Sequence, residues 1–294
     1  MQKYKVVIIG SGIAGMTAAI YLKRGGIDPL IIEKSAPGGT LNLIPEVENY
    51  PGFETISGPD LAMNIYSQVT KLNVNYMFKN IKEIDLDNKI IDDEIEYDYL
   101  IIATGKRHRL LNLESEDKLL GKGISTCALC DGNFYKDKNV IVVGGASSAL
   151  TESLYLSSIC KKVTMIVRRD SFTGEDYLVD KVINTPNIKV IYNSIITSYN
   201  TKKDKLESVT IDGKKKIKTD GIFLAIGSIP NSELFDVEKE NNYIITNKNF
   251  ETNKKNVFAI GDIIKKEYYQ LINASSEGMI VANTIIEKEK GIIN

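Results

Sequence analysis

Apolar runs that end in glycine recur along the chain and predict buried parallel strands. The runs YKVVIIG and KNVIVVG open residues 4–26 and 138–162, and each leads through a glycine turn into a helical pattern of apolar residues. A second apolar run, DPLIIEK or KVTMIVRR, follows each helical pattern. Strand–turn–helix–strand units of this kind build nucleotide-binding domains, so two of them predict two such domains.

Further apolar runs predict the remaining strands. YDYLIIATGKR (97–107) and TDGIFLAIGSIPN (219–231) are typical of buried strands that end in turns. KNVFAIGDI (255–263) predicts one more strand before an amphipathic helix at about 270–289. Residues 81–96 alternate between apolar and polar positions, as the strands of a surface hairpin do.

The order of these elements indicates that one domain interrupts the other. We predict an α/β fold with two Rossmann-like (three-layer ββα) nucleotide-binding domains, the second inserted in the first. Residues 1–112 and 239–294 are assigned to the first domain, and residues 113–238 to the inserted domain.

Composition narrows the possible functions. Of the 294 residues, 43% are hydrophobic, which is enough for two sizeable cores. The net charge of −1 gives no reason to expect nucleic acid or an anionic membrane as a partner. The apolar runs are too short for a membrane span or a signal peptide, so we expect a cytoplasmic protein.

Cys127 and Cys130 form a Cys-x-x-Cys pair, which in a cytoplasmic protein indicates redox chemistry or metal binding. The chain has only one further cysteine, Cys160, and one histidine, His108, so the soft ligands of a four-coordinate zinc site are missing. We therefore expect no metal and favour redox chemistry. The spacing lowers the pKa of one thiol, and the adjacent carboxylate of Asp131 can shuttle protons.

The first glycine turn has the spacing of a dinucleotide-binding motif, Gly10-Ser11-Gly12-Ile13-Ala14-Gly15. The first glycine makes the tight turn, the second admits a pyrophosphate to the backbone, and the third allows helix and strand to pack closely. The helix N-terminus that follows favours phosphate groups. Glu33 ends the second predicted strand, where a carboxylate accepts hydrogen bonds from ribose hydroxyls.

Seven other segments, taken together, resemble the low-molecular-weight thioredoxin reductases over nearly the whole chain. They are GG-T-L (38–41), VENYPGF (47–53), ISGPDL (56–61), CALCDG (127–132), IGSIPN (226–231), VFAIGDI (257–263) and YQLINASSEG (269–278). The resemblance implies a homodimeric flavoprotein in which FAD reduces the Cys127–Cys130 disulfide, and this pair then reduces a thioredoxin.

The resemblance also implies a role for each residue of the site. Cys130 is expected to face the flavin, Cys127 to attack the disulfide of thioredoxin, and Asp131 to act as acid and base for the thiols. The residues expected to bind FAD are Gly10, Gly12, Ile13, Ala14, Gly15, Glu33, Lys34, Gly39, Thr40, Leu41, Asn49, Ala103, Thr104, Gly105, Gly261, Asp262, Tyr269, Gln270 and Leu271.

The second glycine turn departs from the pattern of the family members that use NADPH. Ala146 replaces the middle glycine, so a methyl group lies where a pyrophosphate approaches the backbone. Val167 and Thr173 stand where a histidine and an arginine are usual beside the 2′-phosphate, although Arg168 and Arg169 are in place.

These departures bear on the source of electrons. Tyr269 also replaces an arginine that is usual near the flavin in NADPH-using members. One branch of the family is fed by ferredoxin and has lost the nicotinamide motifs while keeping FAD and the cysteine pair, and the chain resembles this branch most. We therefore expect ferredoxin as the donor. An NADPH-dependent thioredoxin reductase is the alternative, and a non-catalytic FAD-binding redox sensor is a third hypothesis.

Overall fold

A computed structural model describes residues 1–44, 46–202 and 205–293. The chain forms two compact units. The first contains residues 1–45, 50–107 and 229–294, and the second contains residues 46–49 and 108–228. Most of the second unit thus lies, in sequence, between two parts of the first.

The helices and strands are numbered along the chain. The strands are β1 Gln2–Ile9, β2 Pro29–Glu33, β3 Asn75–Phe78, β4 Ile84–Asp85, β5 Ile90–Ile91, β6 Ile95–Ile102, β7 Lys106–His108, β8 Ile124–Ser125, β9 Asn139–Val143, β10 Lys162–Ile166, β11 Ile188–Ile191, β12 Ile196–Lys202, β13 Lys205–Ile211, β14 Lys215–Lys218, β15 Gly221–Leu224, β16 Ser228–Pro230, β17 Lys239–Glu240, β18 Tyr243–Ile244 and β19 Val257–Ala259. The α-helices are α1 Ile13–Arg24, α2 Gly58–Lys71, α3 Glu116–Leu119, α4 Ala128–Asp131, α5 Ser147–Ile159, α6 Asp176–Ile183 and α7 Leu271–Glu289.

The first unit is built on a sheet with the strand order β3-β2-β1-β6-β5-β4, and β19 pairs with the second half of β6. The strands β1, β2, β3, β6 and β19 run parallel, whereas β4 and β5 form the hairpin predicted for residues 81–96. Every residue of the stretch 6–9 is buried, as in a parallel strand that is covered on both faces.

The second unit has three layers, and the residues of β9 show how they stack. Its sheet has the parallel order β11-β10-β9-β15-β8, and β12, β13 and β14 form a separate antiparallel sheet. Val140 and Val142 pack with residues of α5, whereas Ile141 and Val143 pack with residues of β12 and β13. Alternate side chains of one strand therefore enter two different cores. The predicted α/β fold class is confirmed.

The two units change over at residues 107/108 and 228/229, five residues before the boundary predicted at 112/113 and ten before the one predicted at 238/239. Asn231 explains part of this difference, because its Nδ2 donates to the Thr104 carbonyl at 2.8 Å and its amide donates to the Gly105 carbonyl at 2.9 Å. Phe235 and Val237 are buried in the core of the first unit. Tertiary contacts thus decide these boundaries, and no local sequence signal marks them.

Helices α1 and α7 of the first unit approach each other closely because glycine stands at their contact points. A Cβ atom on Gly278 would lie 2.4 Å from the carbonyl oxygen of Ala14, and a Cβ atom on Gly25 would lie 2.2 Å from Ile286 Cδ1. A side chain at Gly278 therefore requires movement of the backbone of α1.

Replacing Gly278 with valine tests this contact. We expect the free energy of unfolding to fall by at least about 2 kcal/mol, because the added atoms collide with main-chain atoms of α1. Urea titration followed by circular dichroism measures the change. Ser276→Val, at an exposed position of the same helix, is the matched control and should cost less than about 1 kcal/mol. Equal losses in the two variants would contradict the contact.

Candidate functional site

The first glycine turn joins β1 to α1 and requires glycine for steric reasons. Gly10 has a φ of 103°, and a Cβ atom on it would lie 2.4 Å from the carbonyl oxygen of Ala103. A Cβ atom on Gly15 would lie 2.1 Å from the carbonyl oxygen of Gly10. Gly12 differs, because a Cβ atom there would meet no heavy atom within 4 Å outside its chain neighbours. The middle glycine therefore faces open space, where a phosphate group can reach the backbone.

Glu33 ends β2 beside this turn, and its buried carboxylate is held by several donors. Ser11 donates to Oε2 through its amide at 2.8 Å and its hydroxyl at 2.9 Å. The amides of Lys34 and Ser35 donate to Oε1 at 2.8 and 3.0 Å. Tyr76 on β3, which no sequence motif marks, donates its hydroxyl to Ser11 Oγ at 2.8 Å. This network fixes an acceptor group at the strand end where dinucleotide sites bind ribose.

Other predicted residues reach the same turn from distant parts of the chain. Gly39 begins a 3-10 helix, and a Cβ atom on it would lie 3.5 Å from Gly12 Cα. A Cβ atom on Gly261 would lie 3.2 Å from the Cβ atom of Ala14. Asn49, by contrast, is an exposed residue of the second unit. Gly39 and Gly261 are thus neighbours of the first glycine turn.

A buried ion pair supports the loop after β19. Glu277 of α7 accepts a hydrogen bond from the Gly261 amide at 2.7 Å, and Lys266 Nζ bridges both of its carboxylate oxygens at 2.7 and 2.9 Å. Lys266 Nζ also lies 3.9 Å from Asp262 Oδ1. Glu277 lies within the quoted segment 269–278, but no local pattern in the sequence marks it or Lys266 as members of an ion pair.

Tyr269, predicted to lie beside a flavin, is half-buried and surrounded by cations. Lys106 Nζ lies 3.4 Å from the centroid of its ring, and Lys266 Nζ lies 5.7 Å from it. Lys106 Nζ also lies 3.5 Å from Asp262 Oδ2. Burial is the main cause of the raised pKa of Tyr269, and the hydrogen bond with the Tyr243 side chain raises this pKa further. Tyr269 is therefore a neutral aromatic residue that two lysines contact, and it precedes the first residue of α7 by two positions.

Three observations indicate that the first unit can bind a dinucleotide cofactor. Open space lies at Gly12, α1 carries no acidic side chain in its first turn, and Glu33 holds acceptor oxygens at the end of β2. A bound pyrophosphate would therefore meet backbone and a helix N-terminus, with no repelling carboxylate on that helix turn.

The second unit carries the cysteine pair on α4. Cys127 and Cys130 form a disulfide with a Cα–Cα distance of 5.3 Å. The Cys130 amide donates to Cys127 Sγ at 3.2 Å, and the Cys127 amide donates to Ser125 Oγ at 3.1 Å. Leu129, between the two cysteines, is exposed. Both cysteines are only half-buried, so the disulfide lies at the edge of the unit's core.

Asp131 follows the pair and has the properties of a proton-transfer group. It is buried, and among the described residues its Oδ1 has no hydrogen-bond partner. Burial raises the pKa of Asp131, and the Ser125 side chain partly offsets this effect. A carboxyl group with a raised pKa and an unpartnered oxygen can exchange a proton with a neighbouring thiol.

The second glycine turn resembles the first in backbone geometry. Ala146 precedes α5 with φ −93° and ψ 174°, and Gly12 precedes α1 with φ −66° and ψ 177°. Both are extended conformations that any residue adopts. Gly144 has a φ of 142°, and a Cβ atom on it would lie 2.4 Å from the Ala225 carbonyl oxygen. The alanine therefore leaves the turn intact and adds a methyl group at the position of the middle glycine.

A segment after β10 packs against this second turn. The Thr173 amide donates to the Gly145 carbonyl at 2.8 Å, and the Glu175 amide donates to Ser147 Oγ at 3.2 Å. A Cβ atom on Gly174 would lie 2.8 Å from the Ser147 amide nitrogen. Residues 173–175 thus lie directly on the N-terminus of α5, where a second pyrophosphate would dock. In the sequence, Thr173 is marked only by standing where an arginine is usual.

Arg168 and Arg169, the two predicted cations of this region, are both exposed after β10. Val167, which stands where a histidine was expected, is buried, and its Cγ1 lies 2.8 Å from the position of a Cβ atom on Gly145. The second unit therefore has two arginines after β10. At the position where NADPH-using members usually have a histidine, it has a valine that packs against Gly145.

No helix in the described ranges is both long and apolar enough to cross a membrane. Within the same ranges, no three potential His, Cys, Asp or Glu ligands cluster around a common point that could hold a metal ion.

Comparison with known proteins gives a consistent result. Residues 4–278 match the model of the pyridine nucleotide-disulphide oxidoreductase family. The chain is 35% identical to a thioredoxin reductase of Bacillus subtilis (strain 168), and the match covers 96% of this chain and 93% of the relative.

Two solved structures extend the comparison. A thioredoxin reductase from Streptococcus pyogenes MGAS5005 is similar with a TM-score of 0.92 and 33% identity, covering 98% of this chain and 99% of that chain. A ferredoxin-flavin thioredoxin reductase from Clostridium acetobutylicum is similar with a TM-score of 0.54 and 27% identity, covering 99% of both chains.

Replacing Glu277 with glutamine tests the ion pair behind the Gly261 turn. The variant leaves Lys266 without its main partner, so we expect the free energy of unfolding to fall by about 3 kcal/mol. Chemical denaturation at low and high salt measures this loss. Glu287→Gln, an exposed position on the same helix, is the control and should change stability by less than about 0.5 kcal/mol. The prediction is wrong if both variants behave alike.

Proposed function

The chain belongs to the pyridine nucleotide-disulphide oxidoreductase family, and we propose that it is a flavin-dependent thioredoxin reductase. The observation that carries this proposal is the Cys127–Cys130 disulfide on α4, followed by the buried carboxyl of Asp131. A scaffold or redox sensor that does not turn over has no need for this acid beside a reactive pair. The full-length similarity to proteins named thioredoxin reductase supports the same activity.

FAD is the proposed cofactor and would bind at the first glycine turn. Its chemistry is to accept and release pairs of electrons. The turn from Gly10 to Gly15 would hold its pyrophosphate, and Glu33 its ribose. Asp262, Gln270 and the start of α7 are proposed to face the rest of the cofactor. Ion pairs at Asp262 and Glu277 support this loop.

The cysteines carry the second half of the proposed reaction. Two electrons break the Cys127–Cys130 bond and leave two thiolates, which take up two protons in becoming thiols. Cys127 is proposed to attack the thioredoxin disulfide as a thiolate, and Cys130 then displaces thioredoxin from the mixed disulfide. The leaving thiolate of thioredoxin requires a proton, and Asp131 is the proposed donor.

NADPH is the proposed electron donor. The comparisons support it better than ferredoxin, which the sequence analysis favoured, because the matched family is defined by pyridine nucleotides. Arg168 and Arg169 remain exposed for a 2′-phosphate. The intact backbone at Ala146 also leaves the turn in a conformation that can bind a dinucleotide.

Ferredoxin remains a second candidate on two specific observations. Residues 173–175 pack on the N-terminus of α5, and Ala146 adds a methyl group to the turn. The similarity to a ferredoxin-flavin thioredoxin reductase, at 27% identity, agrees with this candidate. A homodimeric assembly and a cytoplasmic location stay predictions.

Replacing Cys127 with serine tests the proposed disulfide exchange. With chemically reduced protein and oxidised thioredoxin, we expect the variant to retain less than about 1% of the wild-type rate, because serine does not attack a disulfide. Cys160→Ala, which changes the buried free cysteine, is the control and should keep the wild-type rate. Retention of FAD in both variants shows that the fold persists. Full exchange by Cys127→Ser would refute the assigned role.

An anaerobic titration decides between the donors. We expect NADPH to bleach the flavin absorbance of the wild type, and Thr173→Arg to bind NADPH about tenfold to a hundredfold more tightly through a new contact with phosphate. Ser171→Arg, an exposed neighbour, is the matched control. If NADPH leaves wild type and Thr173→Arg oxidised while reduced ferredoxin bleaches both, ferredoxin replaces NADPH as the donor.

A further inference from the structure

A largely buried lysine begins β7, after the loop that follows β6. Lys106 comes directly after Gly105, and its side chain is only 10% exposed. Asn231 anchors the backbone before it, because its Nδ2 donates to the Thr104 carbonyl at 2.8 Å and its amide donates to the Gly105 carbonyl at 2.9 Å. Thr104 Oγ1 donates in return to the Asn231 carbonyl at 2.8 Å. These hydrogen bonds fix where the lysine begins, and neither the residues expected to bind FAD nor the proposed reaction includes it.

The ammonium group of Lys106 contacts two residues from a distant part of the first unit. Its Nζ lies 3.4 Å from the centroid of the Tyr269 ring and 3.5 Å from Asp262 Oδ2. A charge-assisted hydrogen bond spans only about 2.7–2.9 Å, so the contact with the carboxylate is an ion pair without a short hydrogen bond. The aromatic ring attracts the cation as well. Tyr269 and Asp262 therefore set the position of the ammonium group together.

The second lysine of this cluster, Lys266, is paired differently. Its Nζ bridges both carboxylate oxygens of Glu277 at 2.7 and 2.9 Å, and it lies 3.9 Å from Asp262 Oδ1 and 5.7 Å from the Tyr269 centroid. Short hydrogen bonds to a buried carboxylate thus offset the charge of Lys266. Among the described residues, the charge of Lys106 is offset by its longer contact with Asp262 and by the ring. Lys106 is therefore the cation that can interact more strongly with a further anionic group.

The contacts of Lys106 are with two residues assigned to the flavin half of FAD, Asp262 and Tyr269. Gly12 and Glu33 are assigned to the pyrophosphate and the ribose. Reduction of FAD by two electrons and one proton leaves one negative charge on the flavin ring. A cation beside the ring stabilises this reduced form more than the neutral oxidised form. We propose that Lys106 supplies this positive charge and so raises the reduction potential of FAD.

Tyr269 and Asp262 have separate roles in this arrangement. Tyr269 is a positioning residue, because its ring carries no charge of its own and contacts the ammonium group of Lys106. The carboxylate of Asp262 alone would disfavour negative charge on the flavin ring, so its contact with Lys106 also offsets an unfavourable charge. The inference rests on the FAD site proposed above and names the residue that tunes the reduction of FAD.

The test measures the flavin alone. All proteins carry Cys127→Ser, which prevents the disulfide from taking up electrons. Xanthine and xanthine oxidase supply electrons slowly in the absence of oxygen, beside a reference dye of known potential, and absorbance follows flavin and dye together. The fractions of reduced flavin and reduced dye give the equilibrium constant for reduction of FAD. Thioredoxin, NADPH and ferredoxin take no part in this measurement.

Replacing Lys106 with methionine removes the charge and keeps an unbranched side chain. We expect the equilibrium constant for reduction to fall about tenfold, which lowers the potential of this two-electron couple by about 30 mV. Lys106→Arg keeps the charge and should stay within about twofold of the parent protein. Lys265→Met, which removes a 58% exposed lysine of the same unit, is the matched control and should leave the constant unchanged.

Two outcomes of this comparison overturn the proposal. The first is an equilibrium constant for Lys106→Met equal to that of the parent protein. The second is an equal fall in Lys106→Arg and Lys106→Met, because the size or shape of the side chain then matters and its charge does not. A fall in Lys106→Met that Lys106→Arg restores supports the proposal, since a purely structural role would not follow the charge.

Variants of Tyr269 keep the proposal testable if Lys106→Met loses FAD. Tyr269→Leu removes the aromatic ring beside the ammonium group, so we expect the equilibrium constant to fall about threefold. Tyr269→Phe keeps the ring and should match the parent protein. Equal constants in the two tyrosine variants overturn the proposal.

The FAD content of the wild type separates this inference from the proposed function. Wild-type protein that binds no FAD overturns the flavin-dependent reductase, and the role of Lys106 fails with it. Wild-type protein that binds FAD, together with a parent-like constant in Lys106→Met, overturns the role of Lys106 alone. The outcome of disulfide exchange by Cys127→Ser affects neither result, because the potential is measured on the flavin.

Discussion

Close approach of main-chain atoms at the first glycine turn is the constraint on which the site depends. At Gly10 and Gly15 the spaces that side chains would fill are occupied by carbonyl oxygens of the chain itself. The turn therefore brings the ends of β1 and β6 and the start of α1 to one point. Gly278 extends the same principle to α7, which meets α1 without an intervening side chain. The open space left at Gly12 is then the natural place for a phosphate group.

Buried carboxylates of the protein differ in how many hydrogen bonds they accept. Glu33, Glu116 and Glu277 each accept hydrogen bonds from backbone amides and from at least one side chain, so they fix loops. Asp131, which follows the disulfide in sequence, instead has one oxygen without a hydrogen-bond partner among the described residues. Burial without a partner disfavours the charged form of a carboxyl group, and burial raises the pKa of Asp131 accordingly. Asp131 is thus the candidate proton-transfer group beside the cysteines.

The second glycine turn combines a preserved backbone with altered contacts. Its glycine at position 144 and the extended residue before α5 repeat the geometry of the first turn. Thr173 and Gly174 lie on the helix N-terminus, and Gly174 permits this because it has no side chain. The motif can therefore serve two purposes, as a nucleotide site or as a packing element. Family similarity favours the first purpose for this chain.

The sequence by itself determined the elements whose signals are local. Apolar runs specified the parallel strands, glycine spacing specified the two turns, and residues 127–131 specified a redox pair with an adjacent acid. Only the tertiary structure decided which groups complete the site. Lys266 and Glu277 meet at the Gly261 turn, and Tyr76 supports Ser11, although 11 to 65 positions separate the members of these pairs. Such contacts depend on how helices and strands pack, and burial gives these ordinary polar residues a role that no local pattern encodes.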